Sequence, residues 1–209
     1  MPIRDRIRPI KHLQNKYFIC VLENPDNLVN VASAIRNISA FGVTKLYVVR
    51  GANILKDFGS SRSDKHLSNI SVGANKWVFV RHFETTKECV AHLKKNLYTL
   101  VVTSSHQKGR KNIDLYDGEF TQKRLAVWFG NEAKGISNEA VENANSCIQI
   151  PMGGIVESLN LGTSTGIVLS YISYQRLKYV YSHNKVRFKP RGLASLMMRS
   201  WRDFISPRR

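Results

Sequence analysis

Between Tyr17 and Val49 the chain passes through an apolar stretch, a helix-patterned stretch and a second apolar stretch. That order leaves few folds open. YFICVL (17–22) is aromatic and β-branched, as a buried strand requires. Glu23-Asn24-Pro25-Asp26-Asn27 is a turn-rich break. In VNVASAIRNISAFG, residues Val31, Ala34, Ile35, Ile38 and Phe41 fall on one helical face, and Gly42 stops the helix. TKLYVV (44–49) reads as the next strand. A strand–helix–strand unit this short implies two parallel strands joined by a right-handed crossover.

The pattern repeats downstream. Strands are expected at 77–83, 98–104, 125–130 and 147–151. Helices are expected at 85–96, at 137–145 with Ser137 as cap, and at about 161–181. Residues 50–75 read as loop-like with weak helical character, and 105–123 as polar and irregular. The alternation makes an α/β domain with a mostly parallel sheet flanked by helices. It occupies residues 17–181, between extensions at 1–16 and 182–209.

The two ends of the chain carry the charge. The chain has 209 residues and a formal net charge of +17. Residues 1–16 contribute +4 and residues 176–209 contribute +9. A near-neutral body with basic ends suits a core that works on a polyanion, nucleic acid ahead of a membrane surface. Basic tails that only maintain solubility are the plainer alternative. In the C-terminal tail Phe188, Trp201 and Phe204 alternate with bases, and LASLMMRSWRDFI has the pattern of a short amphipathic helix. Such rings either stack bases or dock the tail on the core.

Cys20, Cys89 and Cys147 are widely spaced and odd in number. They are expected as reduced core residues of a cytoplasmic protein. MPIRDRIRPIKH lacks an apolar stretch after its charges, so no secretory signal is expected. No run of 18 apolar residues suggests a transmembrane helix, and no partner membrane is expected. No HExxH motif or carboxylate cluster suggests a metal. The phosphate-binding GxxxxGK[ST] and the GxGxxG turn are absent.

Three segments carry polar residues where a plain fold needs none. In NPDNLVNVASAIRN, Asn27 and Asn30 lie at the start of the helix and Arg36 two turns in. From spacing alone Arg36 is either half of an ion pair or a bidentate phosphate clamp. FGNEAKGIS (129–137) follows a strand directly. Gly130 and Gly135 permit a sharp turn, and Glu132 stands where open α/β sheets place ligand crevices. Alone, it would pass for a turn acid. In IPMGGIVESLNLGTSTGIVLSYI (150–172), Ser158, Asn160, Thr163, Ser164 and Thr165 crowd the first turn of a helix. They form a polar pocket with the free N–H groups there, or they serve as cap and close helix contacts.

Together these segments resemble the three motifs of the SpoU family of RNA ribose methyltransferases, the TrmH-type branch of the SPOUT class. The first is matched by Asn30 and Arg36, and the second by Gly130 and Glu132. The third is matched by Ile150-Pro151-Met152 followed by Glu157, Ser158, Leu159 and Asn160. The resemblance spans about 17–175. It implies a sheet whose C-terminal part is tied in a deep trefoil knot, and a homodimer with its active site across the interface. S-adenosyl-L-methionine would be held around Thr103, Gly130, Ile150, Met152 and Leu159. Arg36 would reach the reacting ribose from the partner subunit, with Asn30, Glu132, Ser158 and Asn160 organising the pocket. Because an arginine side chain stays protonated in proteins, orienting hydroxyl and phosphate suits Arg36 better than acting as a base. A compact core with basic extensions looks most like the family's tRNA guanosine methyltransferases acting on the D-loop. A ribosomal RNA methyltransferase and a non-catalytic RNA-binding protein on the same fold are the alternatives.

Overall fold

A computed structural model describes residues 14–51, 69–106 and 112–183. The N-terminal extension up to residue 13, the stretch 52–68 and the tail beyond 183, with Phe188, Trp201 and Phe204, lie outside the described residues. The chain divides into two compact units, Met1–Arg176 and Leu177–Arg209. The sheet lies in the first.

In chain order the elements are β1 (Asn15–Glu23), α1 (Leu28–Ala40), β2 (Val43–Val49), β3 (Phe79–Phe83), α2 (Thr86–Lys95), β4 (Thr99–Thr103), β5 (Asn112–Asp114), β6 (Leu125–Phe129), α3 (Asn138–Asn143), β7 (Ser146–Gln149) and α4 (Leu161–His183). The strands form one sheet in the order β3-β2-β1-β6-β4-β7-β5. Every neighbouring pair is parallel. Two expectations need correction. Strand β5 lies inside the stretch 105–123 expected to be irregular, and is held against Cys147–Gln149 of β7. The strand expected at 77–83 begins only at Phe79, because Ala74–Lys76 form a 3-10 turn ending at Trp77.

Strand alternation distributes the core over both faces. Phe18, Cys20 and Leu22 point to one side with Leu46, Val127 and Phe129, under Val31, Ile35 and Ile38 of α1 and Val168, Leu169 and Ile172 of α4. Ile19 and Val21 point to the other with Val102 and Trp128, under Cys89, Val90 and Leu93 of α2 and Ala140 and Val141 of α3. Buried on both faces, the central strands read as continuous apolar runs. All three cysteines are buried as reduced thiols. Burial pushes the Cys20 and Cys89 thiols far above the usual thiol range, so they remain protonated.

Local chemistry sets the helix ends. Asn27 caps α1 by accepting from the Val29 N–H at 2.8 Å, and Gly42 (φ 72°) turns the chain out of it. Thr85 and Ser137 cap α2 and α3. The start of α4 packs closely on α1. A Cβ at Gly162 would stand 2.8 Å from the Ser33 Cβ, and Asn37 Nδ2 donates to the Gly162 carbonyl at 2.8 Å and to Thr165 Oγ1 at 3.0 Å. Arg176 on α4 is buried and donates to the carbonyls of Phe120, Gln122 and Lys123. Burial lowers its pKa to about 10, still well above neutrality, and the carbonyl oxygens compensate the lost water. Among the described residues no helix is long and apolar enough to cross a membrane.

Candidate active site

At the carboxyl ends of β4, β6 and β7 lies a cleft of about 590 Å³. Parallel sheets place ligand crevices at this end. Thr103 ends β4, Gly130 follows β6 and Ile150 follows β7, so three adjacent strands each deliver a wall residue. The loop after β6 folds back tightly. Asn131 N–H donates to the Gly135 carbonyl at 3.0 Å, and Gly135 N–H returns to the Asn131 carbonyl at 2.9 Å. A Cβ at Gly130 would sit 2.3 Å from the Gly135 carbonyl carbon, so the hairpin closes only over glycine.

Asn131 locks that loop to the one after β1. Its side chain is buried. Nδ2 donates to the Asn24 carbonyl and to Asp26 Oδ2, each at 2.6 Å. Oδ1 accepts from the N–H groups of Ala133 at 2.9 Å and Lys134 at 2.7 Å. A second lock lies deeper, where the buried Glu23 carboxylate accepts from Thr86 Oγ1 at 2.6 Å, Ser137 Oγ at 2.7 Å and Ser137 N–H at 3.0 Å. It ties the end of β1 to the starts of α2 and α3. Neither lock is legible in the sequence. Glu23 reads there as part of a turn, although an acid ending an apolar run is a usable signal. Asn131 gives no signal beyond its place between Gly130 and Glu132.

A chain of side-chain bonds joins the three polar segments. Asn160 Nδ2 donates to Asn30 Oδ1 at 2.9 Å. Asn30 Nδ2 donates to Glu132 Oε1 at 2.8 Å. Glu132 Oε2 accepts from the Asp26 N–H at 3.3 Å. The other end of the Asn160 amide caps α4, with Oδ1 accepting from the Gly162 N–H at 2.8 Å and the Thr163 N–H at 3.4 Å. Each amide uses its oxygen and its nitrogen, and this fixes its orientation. Residues more than 100 positions apart in sequence thus share one network.

Thr103, Gly130, Ile150, Met152 and Leu159 all line the cleft, as do Glu132 and Ser158. Asn30 and Asn160 join it through Glu132. Arg36 does not reach it. It is exposed on α1, with no side-chain partner among the described residues. The polar crowd at the start of α4 divides. Ser158 and Ser164 face the cleft, but Thr165 is fully buried against Asn37 and serves helix packing. His106 Nε2 and Glu157 Oε2 stand 4.0 Å apart at the mouth, both well exposed. Such a pair adds little stability.

Residues 17–170 match the model of the SpoU rRNA Methylase family. The chain belongs to the SpoU family. Among relatives of this SpoU protein, the tRNA (guanosine(18)-2'-O)-methyltransferase of Thermus thermophilus is 30% identical over 175 residues, covering 84% of each chain. The Aquifex aeolicus protein of the same name is 28% identical over 171 residues, covering 82% of this chain and 75% of its own. A crystal structure of the A. aeolicus TrmH/SpoU tRNA modifying enzyme superposes with a TM-score of 0.70 at 24% identity, covering 98% of this chain and 99% of the other. The SpoU methyltransferase AviRb of Streptomyces viridochromogenes, in complex with AdoMet, gives a TM-score of 0.64 at 22% identity over 78% of this chain and 59% of its own. Both superpositions are likenesses of fold.

Proposed function

We propose that this SpoU chain is an S-adenosylmethionine-dependent RNA ribose 2′-O-methyltransferase acting on a guanosine in the D-loop of tRNA, in the cytoplasm. The observation that carries the reading is the Asn160–Asn30–Glu132 network on the rim of the cleft. Binding alone does not need three loops fixed to one another at a pocket wall. The relatives' names supply the choice of tRNA and of guanosine.

The cleft suits the cofactor. Its volume of about 590 Å³ lies within the range of small-molecule sites, roughly 300–1,000 Å³. Phe129, Ile148, Ile150, Met152 and Leu161 offer an apolar wall, and Gly130 leaves backbone where a side chain would intrude. When bound, S-adenosylmethionine supplies an electrophilic methyl group. The protein's task is positional. Glu132 and Asn30 hold the loops after β6 and β1 in register, and Asn160 holds the start of α4 to both. Ser158, exposed beside Leu159, offers a hydroxyl to a ribose at the mouth. Holding the attacking oxygen in line supplies much of such a rate enhancement.

Arg36 completes the site from a second copy of the chain. Its exposure away from its own cleft supports a homodimer. So do the exposed apolar side chains near the cleft, Ile155 and Val156 on its third loop and Val29 on α1, since exposed apolar patches mark interaction surfaces. The guanidinium, a fixed cation, orients hydroxyl and phosphate. The reading includes the deep trefoil knot that the family resemblance implies for the C-terminal part, and RNA-gripping roles for residues 1–16 and 182–209.

Purified protein incubated with tritiated S-adenosylmethionine and total tRNA tests the reading, with ribosomal RNA and Arg36→Ala run in parallel. Label in tRNA that the mutant loses is the expected result. Label only in ribosomal RNA would move the target. A protein that binds RNA but not the cofactor would be a binding module, and the enzyme reading would fall.

A further inference from the structure

The cleft occupies the carboxyl ends of the strands, and a cationic patch lies toward the amino ends of β2 and β3. In their parallel register Lys45 stands beside Phe79 and Tyr47 beside Arg81. By strand alternation these four share one face with Phe83. Helix α2 covers the inner part of that face, burying Tyr47 and Phe83. Phe79 stays open at 60% exposure. His92 of α2 packs against the Tyr47 and Phe83 rings, at centroid distances of 5.7 and 5.4 Å. The Arg81 guanidinium lies 4.8 Å over the Phe83 ring, and its NH1 is 3.3 Å from His92 Nε2. Lys95 ends the same helix.

The charged groups acting on His92 are all cations: Arg81, Lys45 and Lys95. Burial first, and these charges second, hold its pKa below the usual imidazole range. The ring is therefore neutral near pH 7, and Nε2 can accept from Arg81. Among the described residues no carboxylate lies within ion-pair distance of Arg81, Lys45 or Lys95. Gathered like charges repel one another; the acids on this side, Glu23, engaged by Thr86 and Ser137, and Glu88, one turn before His92, form no ion pair with them. Arg81 is held in place by the Phe83 ring, the imidazole and the neighbouring Tyr47 hydroxyl, none of which carries a negative charge at neutral pH. Cations beside an exposed aromatic ring suit a nucleic-acid strand, with phosphates on the charges and an unpaired base on the ring.

We propose that Lys45, Arg81, Lys95 and the exposed ring of Phe79 dock the RNA substrate, cations on its phosphates and ring on an unpaired base, at the β3-β2 edge of the sheet away from the cleft. The inference rests on the RNA-modifying reading above. Three strand spacings from β3 to β6, with part of a strand's length along them, separate patch and cleft by roughly 15–20 Å. A folded tRNA can span that distance while a nucleotide occupies the cleft, whereas a trinucleotide centred on the cleft, reaching about 3–7 Å to either side, cannot.

The test is binding of whole tRNA, and of a trinucleotide with the target at its centre, to the full chain across a salt series. Lys45→Gln/Lys95→Gln removes two charges that make no hydrogen bond among the described residues, and Arg81→Gln repeats the test from a third element. We expect the double variant to bind tRNA about tenfold more weakly and to lose about two from the slope of log affinity against log salt. Fragment binding should not change, and Lys87→Gln, two turns away on α2, should keep the wild-type slope. Equal slopes for wild type and double variant would overturn the patch, as would an equal loss with the fragment. A wild-type protein that binds no RNA would instead overturn the proposed function, and the patch with it.

Discussion

A methyl group at Gly130 would lie 2.3 Å from the Gly135 carbonyl carbon and the Ile136 nitrogen. Both atoms belong to one backbone peptide, with nothing flexible to yield, so the hairpin must open. Gly130→Ala is expected to weaken S-adenosylmethionine binding at least about tenfold by calorimetry, with the fold retained by circular dichroism, because the loop lines the cleft without carrying the core. Arg36 gives the complementary case. It is exposed and has no side-chain partner among the described residues, so Arg36→Ala should leave the unfolding midpoint and cofactor affinity unchanged while methyl transfer falls by about 10²–10³. Arg36→Lys keeps the charge but loses the planar fork. Near-normal turnover in that variant would remove the bidentate role. The conspicuous polar residues, Asn30, Glu132, Ser158 and Asn160, can be picked out in the sequence because a plain fold has no use for them at those positions. Asn131 cannot, and Glu23 shows only as an acid ending an apolar run, because their work is to join backbones distant in sequence, and only the folded chain shows which backbones those are.

Among the elements, α1 and α4 meet through small and polar side chains rather than a purely apolar seam. Gly162 lies against Ser33, and Asn37 bridges the Gly162 carbonyl and Thr165. Gly162→Ala forces these helices apart at the point where Asn160 caps α4. The expected loss is about 1–3 kcal/mol, as for other overpacked contacts, measured by urea unfolding, together with weaker methyl transfer as the Asn160–Asn30 bond lengthens. A loss of stability with full activity would separate the cap from the site. Most of the elements can be read from the sequence because strands buried on both faces leave long apolar runs and their helices carry clear caps. Strand β5 cannot. Three polar-flanked residues, Asn112–Asp114, become a strand only because β7 offers an edge to pair with, and no local pattern records a neighbour. The hydroxyl cluster at α4 misleads in the other direction. Thr165 is as polar as Ser164, yet it faces α1 and not the cleft.

For the molecule as a whole, charge and burial make separate predictions. The formal net charge of +17 meets few internal counter-ions among the described residues, so tRNA affinity should fall steeply with salt, by about 0.7–0.9 in slope for each phosphate contacted. A flat salt response would mean that these charges do not meet RNA. The three thiols test the core. Cys20 lies on one face of the sheet, and Cys89 and Cys147 lie on the other, all buried. A thiol reagent at neutral pH should therefore label none of them until the protein unfolds, and then all three together. Labelling of one cysteine in the native state would reveal a local opening on its face of the sheet.

The placement of β6 bears on how the protein is made. This strand arrives after five others in sequence, yet it lies between β1 and β4. A nascent chain that has delivered only β1 to β4 cannot zip those two strands together, since their shared neighbour is still inside the ribosome. The same late segment brings Gly130 and Glu132, and the next brings Asn160. Synthesis must therefore run nearly to the end of the fold before the cofactor cleft is complete, and a chain halted before α4 could not serve as a weaker enzyme.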